Sequence, residues 1–183
     1  MQYIIGQLLG IVATVVIVAM PVFQKKIHML LATLAGNLLM ALNFILIGQI
    51  GSAIFMYFVA ILQTLVSMVH LRRQSPVQTW EQMLFCGLYV GLGVFGIITA
   101  PGFQPEWSGT NLLELLPIIG SAMLTFSIFA VREQTTRVFL LINAIIWSVY
   151  TGIVGSTGFF AEVITAMTTV YALWKYRKNP ESP

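Results

Sequence analysis

Charge is what this chain most lacks. Only 8% of its 183 residues are Asp, Glu, Lys or Arg, while 58% are hydrophobic, and a soluble domain carries about 25% charged residues. Too little polar side chain is present to cover a water-facing particle, so composition predicts an integral membrane protein. Aspartate is absent and cysteine occurs once, at Cys86. A single cysteine excludes a disulfide framework. With so few thiol, imidazole and carboxylate groups, none at useful spacing, no metal or other cofactor is expected. No lysine falls inside an expected span, which excludes a retinal-type Schiff base. No phosphate-binding loop or nucleophile motif is present. An enzyme would need a convergent acid, base or nucleophile set, and only Glu114 and Glu162 are on offer, so none is expected.

What is present is a series of long apolar runs. Residues 1–24 contain no charged side chain, and 27–71 contain only His28 and His70 as titratable bases. A helix needs about 20 apolar residues to cross hydrocarbon. The second run therefore holds two spans, split at Gly48-Gln49-Ile50-Gly51-Ser52. Continuous apolar runs argue against a β-barrel, whose strands alternate over about 10 residues. The expected spans are 4–22, 28–47, 52–71, 83–100, 112–131, 138–154 and 158–174. The first lacks a positive n-region and is as long as a full span, so it does not read as a cleavable signal.

Topology follows from where the bases fall. Lys25 and Lys26 follow the first span, and Arg72 and Arg73 the third. Arg132 and Arg137 are expected between the fifth and sixth, and Lys175, Arg177 and Lys178 follow the seventh. With seven spans every Lys and Arg lies on one side, which the positive-inside rule makes cytoplasmic. The N-terminus is then outside and the C-terminus cytoplasmic. Topology accounts for the basic turns, so no nucleic acid is expected as a partner.

A forward shift of 107 residues, without a gap, superposes related positions. Lys25 meets Arg132, Thr14 meets Ser121, and Gly48 and Gly51 meet Gly155 and Gly158. The repeat predicts three spans, one linking span and three more. Residues 1–73 form the first triple-helix unit, 74–110 carry the linker helix (83–100), and 111–183 form the second unit with a short basic tail. One extra crossing restores the orientation of the second unit, giving parallel repeats. Gly87 and Gly91, a G-x-x-x-G, and Gly93 and Gly96 offer small faces for close helix approach.

The residues that carry a family resemblance are Phe23-Gln24-Lys25-Lys26, the stretch Gly36-Asn37-Leu38-Leu39-Met40-Ala41-Leu42-Asn43-Phe44, and Gly48-Gln49-Ile50-Gly51-Ser52. With the three-one-three plan, the chain resembles the YgjV-type bacterial inner membrane proteins, within the SWEET, SemiSWEET and PQ-loop superfamily. The resemblance implies residence in the bacterial inner membrane and two triads rocking about a midplane site. SWEET relatives carry a proline in the first helix of each triad. Pro21 matches that position, but its repeat mate is Ile128. Their central asparagine on the third helix has no counterpart here; the seventh span offers Glu162 and threonines instead.

Polar residues inside hydrocarbon are costly and often functional, and they also serve as interhelical contacts. Polar stripes are expected on four spans: Gln7, Gly10 and Thr14; Tyr57, Ala60, Thr64 and Ser67; Glu114, Ser121 and Thr125; Glu162, Thr165 and Thr169. Stripes that face each other would line a cavity. Asn37 and Asn43 lie roughly 120° apart around their helix, and Asn37 is preferred for the interior. Asn143, Trp147 and Tyr150 share a face, and Trp147 could stack on a ring. Glu162 could take up a proton or contact a solute. Asn111 and Glu114 have capping-box spacing, so Glu114 reads mainly as a cap.

The expected function is a transporter or facilitator of a small polar solute, working by alternating access. The expected solute site is Asn37, Tyr57, Asn143, Trp147 and Glu162, with Pro21, Gly48 and Gly51 as gating or hinge positions. The alternative is a non-transporting receptor or assembly protein with the same fold. The expected partners are the solute, the lipid bilayer and a second copy in a homo-oligomer.

Overall fold

The computed structural model describes residues 2–46, 52–99, 113, 115–155 and 158–177. Gly48, Gly51, Asn111 and Glu114 lie outside the described residues. Among those described the chain is all helical: α1 (Gln2–Ala19), a short 3-10 turn (Met20–Val22), α2 (Lys26–Leu46), α3 (Ser52–Arg72), α4 (Thr79–Thr99), α5 (Leu115–Phe129), α6 (Glu133–Val154) and α7 (Gly158–Lys175). By length and composition Ile4–Val22, Lys26–Leu46, Phe55–Arg72 and Glu133–Ile153 can each cross a membrane, and the described part of α5 is apolar but shorter.

The helix ends have local causes. Pro21 lacks a backbone N–H and cannot continue α1. The chain tightens into the 3-10 turn and leaves it through extended Phe23 (φ −67°, ψ 134°). At the far end of α6, Gly155 takes the left-handed conformation (φ 72°) as its C-cap, a position that suits glycine. The connection from α3 to α4 is fixed by side chains. His70 Nε2 lies 3.0 Å from Glu81 Oε1, and Nδ1 lies 3.0 Å from Ser75 Oγ. The Gln78 N–H donates to Glu81 Oε2 at 2.8 Å. That amide, and then the His70 contact, hold the Glu81 carboxyl below its ordinary value.

Packing follows chain order within each half. α1 lies against α2 and α2 against α3; α5 lies against α6 and α6 against α7. Between the halves, α1 meets α7 and α3 meets α5, while α4 packs on α3 and α5. Leu30, Val59, Phe85, Tyr89 and Phe129 form an apolar cluster where these elements converge. The outer surface is apolar too. On α1, Ile4, Leu8, Ile11 and Val15 recur at helical spacing and are all exposed. An apolar exterior over so much of a bundle matches hydrocarbon rather than water.

Two expectations need correction. Gly87 and Gly91 do not mediate close packing within the chain, since a Cβ at either would meet nothing within 4 Å. α4 turns Phe85, Tyr89 and Gly93 inward instead. Gly93 is where α4 approaches α5: a Cβ there would stand 2.6 Å from Ile118 Cγ1. The other correction concerns the bases. α6 begins at Glu133, earlier than expected, so Arg137 lies within it; α2 likewise begins at Lys26. Both side chains are buried, 1% and 5% exposed, because each reaches carbonyl groups across the bundle. Lys26 Nζ donates to Ser127 O at 2.9 Å and to Thr136 Oγ1 at 2.6 Å. Arg137 donates through Nε to Pro21 O at 3.0 Å and through its terminal nitrogen to Phe23 O at 2.7 Å.

Candidate functional site

The polar stripes divide along their length. Their deeper members pack: Thr64, Thr125 and Thr169 are fully buried. Each hydroxyl donates to the carbonyl four residues back, Ala60 O at 2.7 Å, Ser121 O at 3.1 Å and Thr165 O at 2.6 Å. In α1, Thr14 likewise bonds Gly10 O at 2.9 Å. Asn43 packs on Gly10, where a Cβ would lie 3.0 Å from its Nδ2. Gln7, Gly10 and Thr14 are not among the residues that line the central cavity; Ile17 and Met20 do so from that side.

Tyr57, Ala60, Ser121, Glu162 and Thr165 of the stripes line a cavity of about 280 Å³ to which every helix contributes, whereas Ser67 donates to Ile128 O at 2.8 Å. Asn37, Tyr57, Asn143, Trp147 and Glu162 all line it. Asn37 lies about 16 Å along α2 from Lys26, at about 1.5 Å per residue, which is near half of a hydrocarbon core of about 30 Å. Helical spacing presents Thr33, Asn37 and Met40 from α2, and Leu140, Asn143 and Trp147 from α6. Trp147 is set by Gly120: a Cβ there would lie 2.7 Å from the indole Nε1. Tyr150 packs edge-on against the Trp147 ring at 5.8 Å. Pro21 lies outside the cavity, buried beneath Arg137. Among the described residues no group of His, Cys, Asp and Glu could hold a metal ion.

Ten of the sixteen residues that line the cavity stand at one of two recurring offsets. Ile17 and Leu124, Thr33 and Leu140, and Met40 and Trp147 each stand 107 positions apart; Tyr57 and Glu162, and Ala60 and Thr165, stand 105 apart. Two hydrogen bonds between the halves follow the same offsets. Gln63 Nε2 donates to Thr125 O at 3.2 Å, and Thr168 Oγ1 donates to Val18 O at 3.0 Å.

Tyr89 and Gln63 escape a search for polar stripes. Tyr89 is buried in α4, lines the cavity and donates its hydroxyl to Gln63 Oε1 at 3.2 Å. The signal for Gln63 was available, since an amide in an apolar span needs a partner; nothing local in the sequence marks Tyr89.

No curated protein and no solved structure matches the chain. Over residues 4–180 it matches the family model of Imp-YgjV, described as a bacterial inner membrane protein. The chain belongs to this family, and it is a protein of the bacterial inner membrane whose described elements are all helices.

Proposed function

We propose that the protein is a transporter or facilitator that moves a small polar solute by alternating access. In this reading two parallel three-helix units rock about the cavity, with α4 as the linking span. The orientation is N-terminus outside with the basic turns cytoplasmic, the plan of the SWEET and PQ-loop superfamily. One observation carries it: a cavity near mid-depth, bounded by both halves and all seven helices, gathers Asn37, Tyr57, Asn143, Trp147 and Glu162. Polar side chains at that depth are expensive unless they serve a path or a ligand. The offset pairs among the lining residues support two related units whose interface is the site, the arrangement that alternating access uses.

The basic end supports a gate. Lys26 and Arg137 each leave one half to bond carbonyls of the other, so opening this end means separating them. A second cavity of about 630 Å³, lined by Lys26, Ser67, His70 and Ala130 among others, is the vestibule on that side.

Thermal unfolding of the purified protein against sugars, amino acids, nucleosides, vitamins and organic acids tests the reading. A solute at about 100 times its dissociation constant adds about 2.7 kcal/mol to the folded state. The expected result is a stabilising solute whose effect is lost in Trp147→Ala and which enters protein-loaded vesicles faster than empty ones. Stabilisation without flux would favour a receptor, and no response to any solute would contradict the proposal.

A further inference from the structure

The lining of the central cavity is unbalanced in both charge and hydrogen bonding. Among the described residues its one carboxylic acid is Glu162, and no lysine, arginine or histidine shares the wall. Several lining hydroxyls already direct their protons elsewhere. Thr33 donates to Met29 O at 2.9 Å, Thr165 to Ala161 O at 2.9 Å, and Tyr89 to Gln63 Oε1 at 3.2 Å. Those hydroxyl oxygens retain lone pairs. Asn143 Oδ1 is buried with no hydrogen-bond partner, on a side chain only 8% exposed. An unmatched buried acceptor of this kind calls for a donor. The donors left on the wall are all neutral: amides, an indole, a phenol and the Ser121 hydroxyl. Around them stand the Tyr57 and Trp147 rings and three methionines, Met20, Met40 and Met56.

We infer that the cavity takes a small, singly charged organic cation: a protonated amine with an apolar or ring-bearing body. The inference rests on the solute-site reading above and narrows it. An ammonium carries donors and no acceptor, which complements Asn143 Oδ1, the threonine oxygens and the carboxylate. It also supplies the counter-charge that a carboxylate in hydrocarbon needs. Aromatic faces add attraction for a desolvated cation, and thioethers adapt to an irregular apolar body. At about 30 Å³ per water the cavity holds about nine waters, so the solute has on the order of ten non-hydrogen atoms. An anion would face Glu162 without a basic partner.

Three probes of matched size separate charge from shape: benzylammonium, benzyl alcohol and benzoate. Equilibrium binding to the full-length protein in phosphatidylcholine discs is measured for each, beside Glu162→Gln, Glu162→Asp and Asn143→Leu. The expected result is benzylammonium binding at least about tenfold tighter than benzyl alcohol, about 1.4 kcal/mol, with no benzoate binding. Glu162→Gln should remove that preference, Glu162→Asp should keep most of it, and Asn143→Leu should weaken the cation more than the alcohol. The Asp variant guards against misfolding of the Gln variant. Equal binding of cation and alcohol, or tighter benzoate, overturns the cation assignment and leaves the solute-site reading standing. No binding of any probe also overturns the assignment, whereas the solute-site reading falls only if the wide panel fails too. Adding phosphatidylethanolamine to the discs separates a free amine from a lipid amine: displacement of benzylammonium by that lipid overturns the assignment to a free solute.

Discussion

Lys26 and Arg137 cross at the basic end of the bundle. Each leaves the first turns of its own helix to hold the carbonyls of the other half, the lysine at Ser127 O (2.9 Å) and the arginine at Pro21 O (3.0 Å). Arg137 also lies 4.7 Å from the centre of the Tyr176 ring, and the Tyr176 hydroxyl donates to Val22 O at 2.9 Å. One guanidinium therefore ties the 3-10 turn, α6 and the end of α7. Arg137→Ala leaves a buried carbonyl unmatched at Pro21, and a bond to a charged group contributes about 1.5–3 kcal/mol. The expected outcome is a fall in thermal midpoint of about 5–10 °C. Arg137→Lys should recover only part of it, because a single ammonium cannot reproduce the guanidinium fork.

Gly120 and Gly91 should answer alanine in opposite ways. Gly120→Ala places a Cβ 2.7 Å from the Trp147 indole nitrogen, and a rigid ring must shift. Overpacking of this kind costs about 1–3 kcal/mol, and the displaced ring should weaken solute binding as well. Gly91→Ala meets nothing within 4 Å and should be neutral or gain about 0.5–1 kcal/mol from reduced chain entropy. Chemical unfolding of both variants in detergent checks the contrast.

Gln63 joins three elements, accepting from Tyr89 and donating to Thr125 O. Gln63→Leu should cost about 1–3 kcal/mol, since a buried hydroxyl and a carbonyl both lose their partner. Tyr89→Phe removes one donor and should cost less. Thr168→Val breaks the related bond to Val18 O, although its hydroxyl is also placed 3.0 Å from Thr165 O. Its cost should lie below that of Gln63→Leu in the same unfolding assay.

The α3–α4 connection should loosen in acid. Glu81 is held below its ordinary value of 4.5, first by the Gln78 amide and then by His70. A depressed carboxyl pKa contributes stability that is complete above the ordinary value and is lost as pH falls through the lower folded value. The difference in thermal midpoint between the native protein and Glu81→Gln should thus shrink as pH falls below the ordinary value of 4.5 and through the lower folded value. His70→Ala should shrink this difference without abolishing it, because the amide is the larger cause.

Helix number was legible because it depends on local pattern, the long apolar runs, whereas helix edges were not: α4 begins at Thr79 and α6 at Glu133, each several residues before the expected span. The five expected site residues, polar or aromatic groups at helical spacing, all line the central cavity. The angle between Asn37 and Asn43 showed only that both cannot face one cavity, and mid-depth position favoured Asn37; the two do part company, one on the cavity and the other against Gly10. The roles of Lys26 and Arg137 were hidden because charge counting treats a base beside a span as a topology signal. Burial depends instead on which carbonyls of a distant turn lie within reach. Gly87 and Gly91 misled for a related reason: a small-residue spacing marks a face capable of close approach, and only tertiary packing decides which face of α4 is used. The offset of 105 between lining residues of α3 and α7 could not be read from the sequence, and it emerges only from residues that meet at the cavity.

Two-sided accessibility of the cavity is the most direct measurement. Thr165 lines it and is nearly fully buried, and Cys86 is the chain's one native thiol. Thr165→Cys in a Cys86→Ser background is exposed to a membrane-impermeant thiol reagent from either face of sealed vesicles. Alternating access predicts reaction from both faces, a ratio that shifts with a stabilising solute, and a further shift toward the basic end in Arg137→Ala. Reaction from one face only, unchanged by solute and by Arg137→Ala, would contradict it.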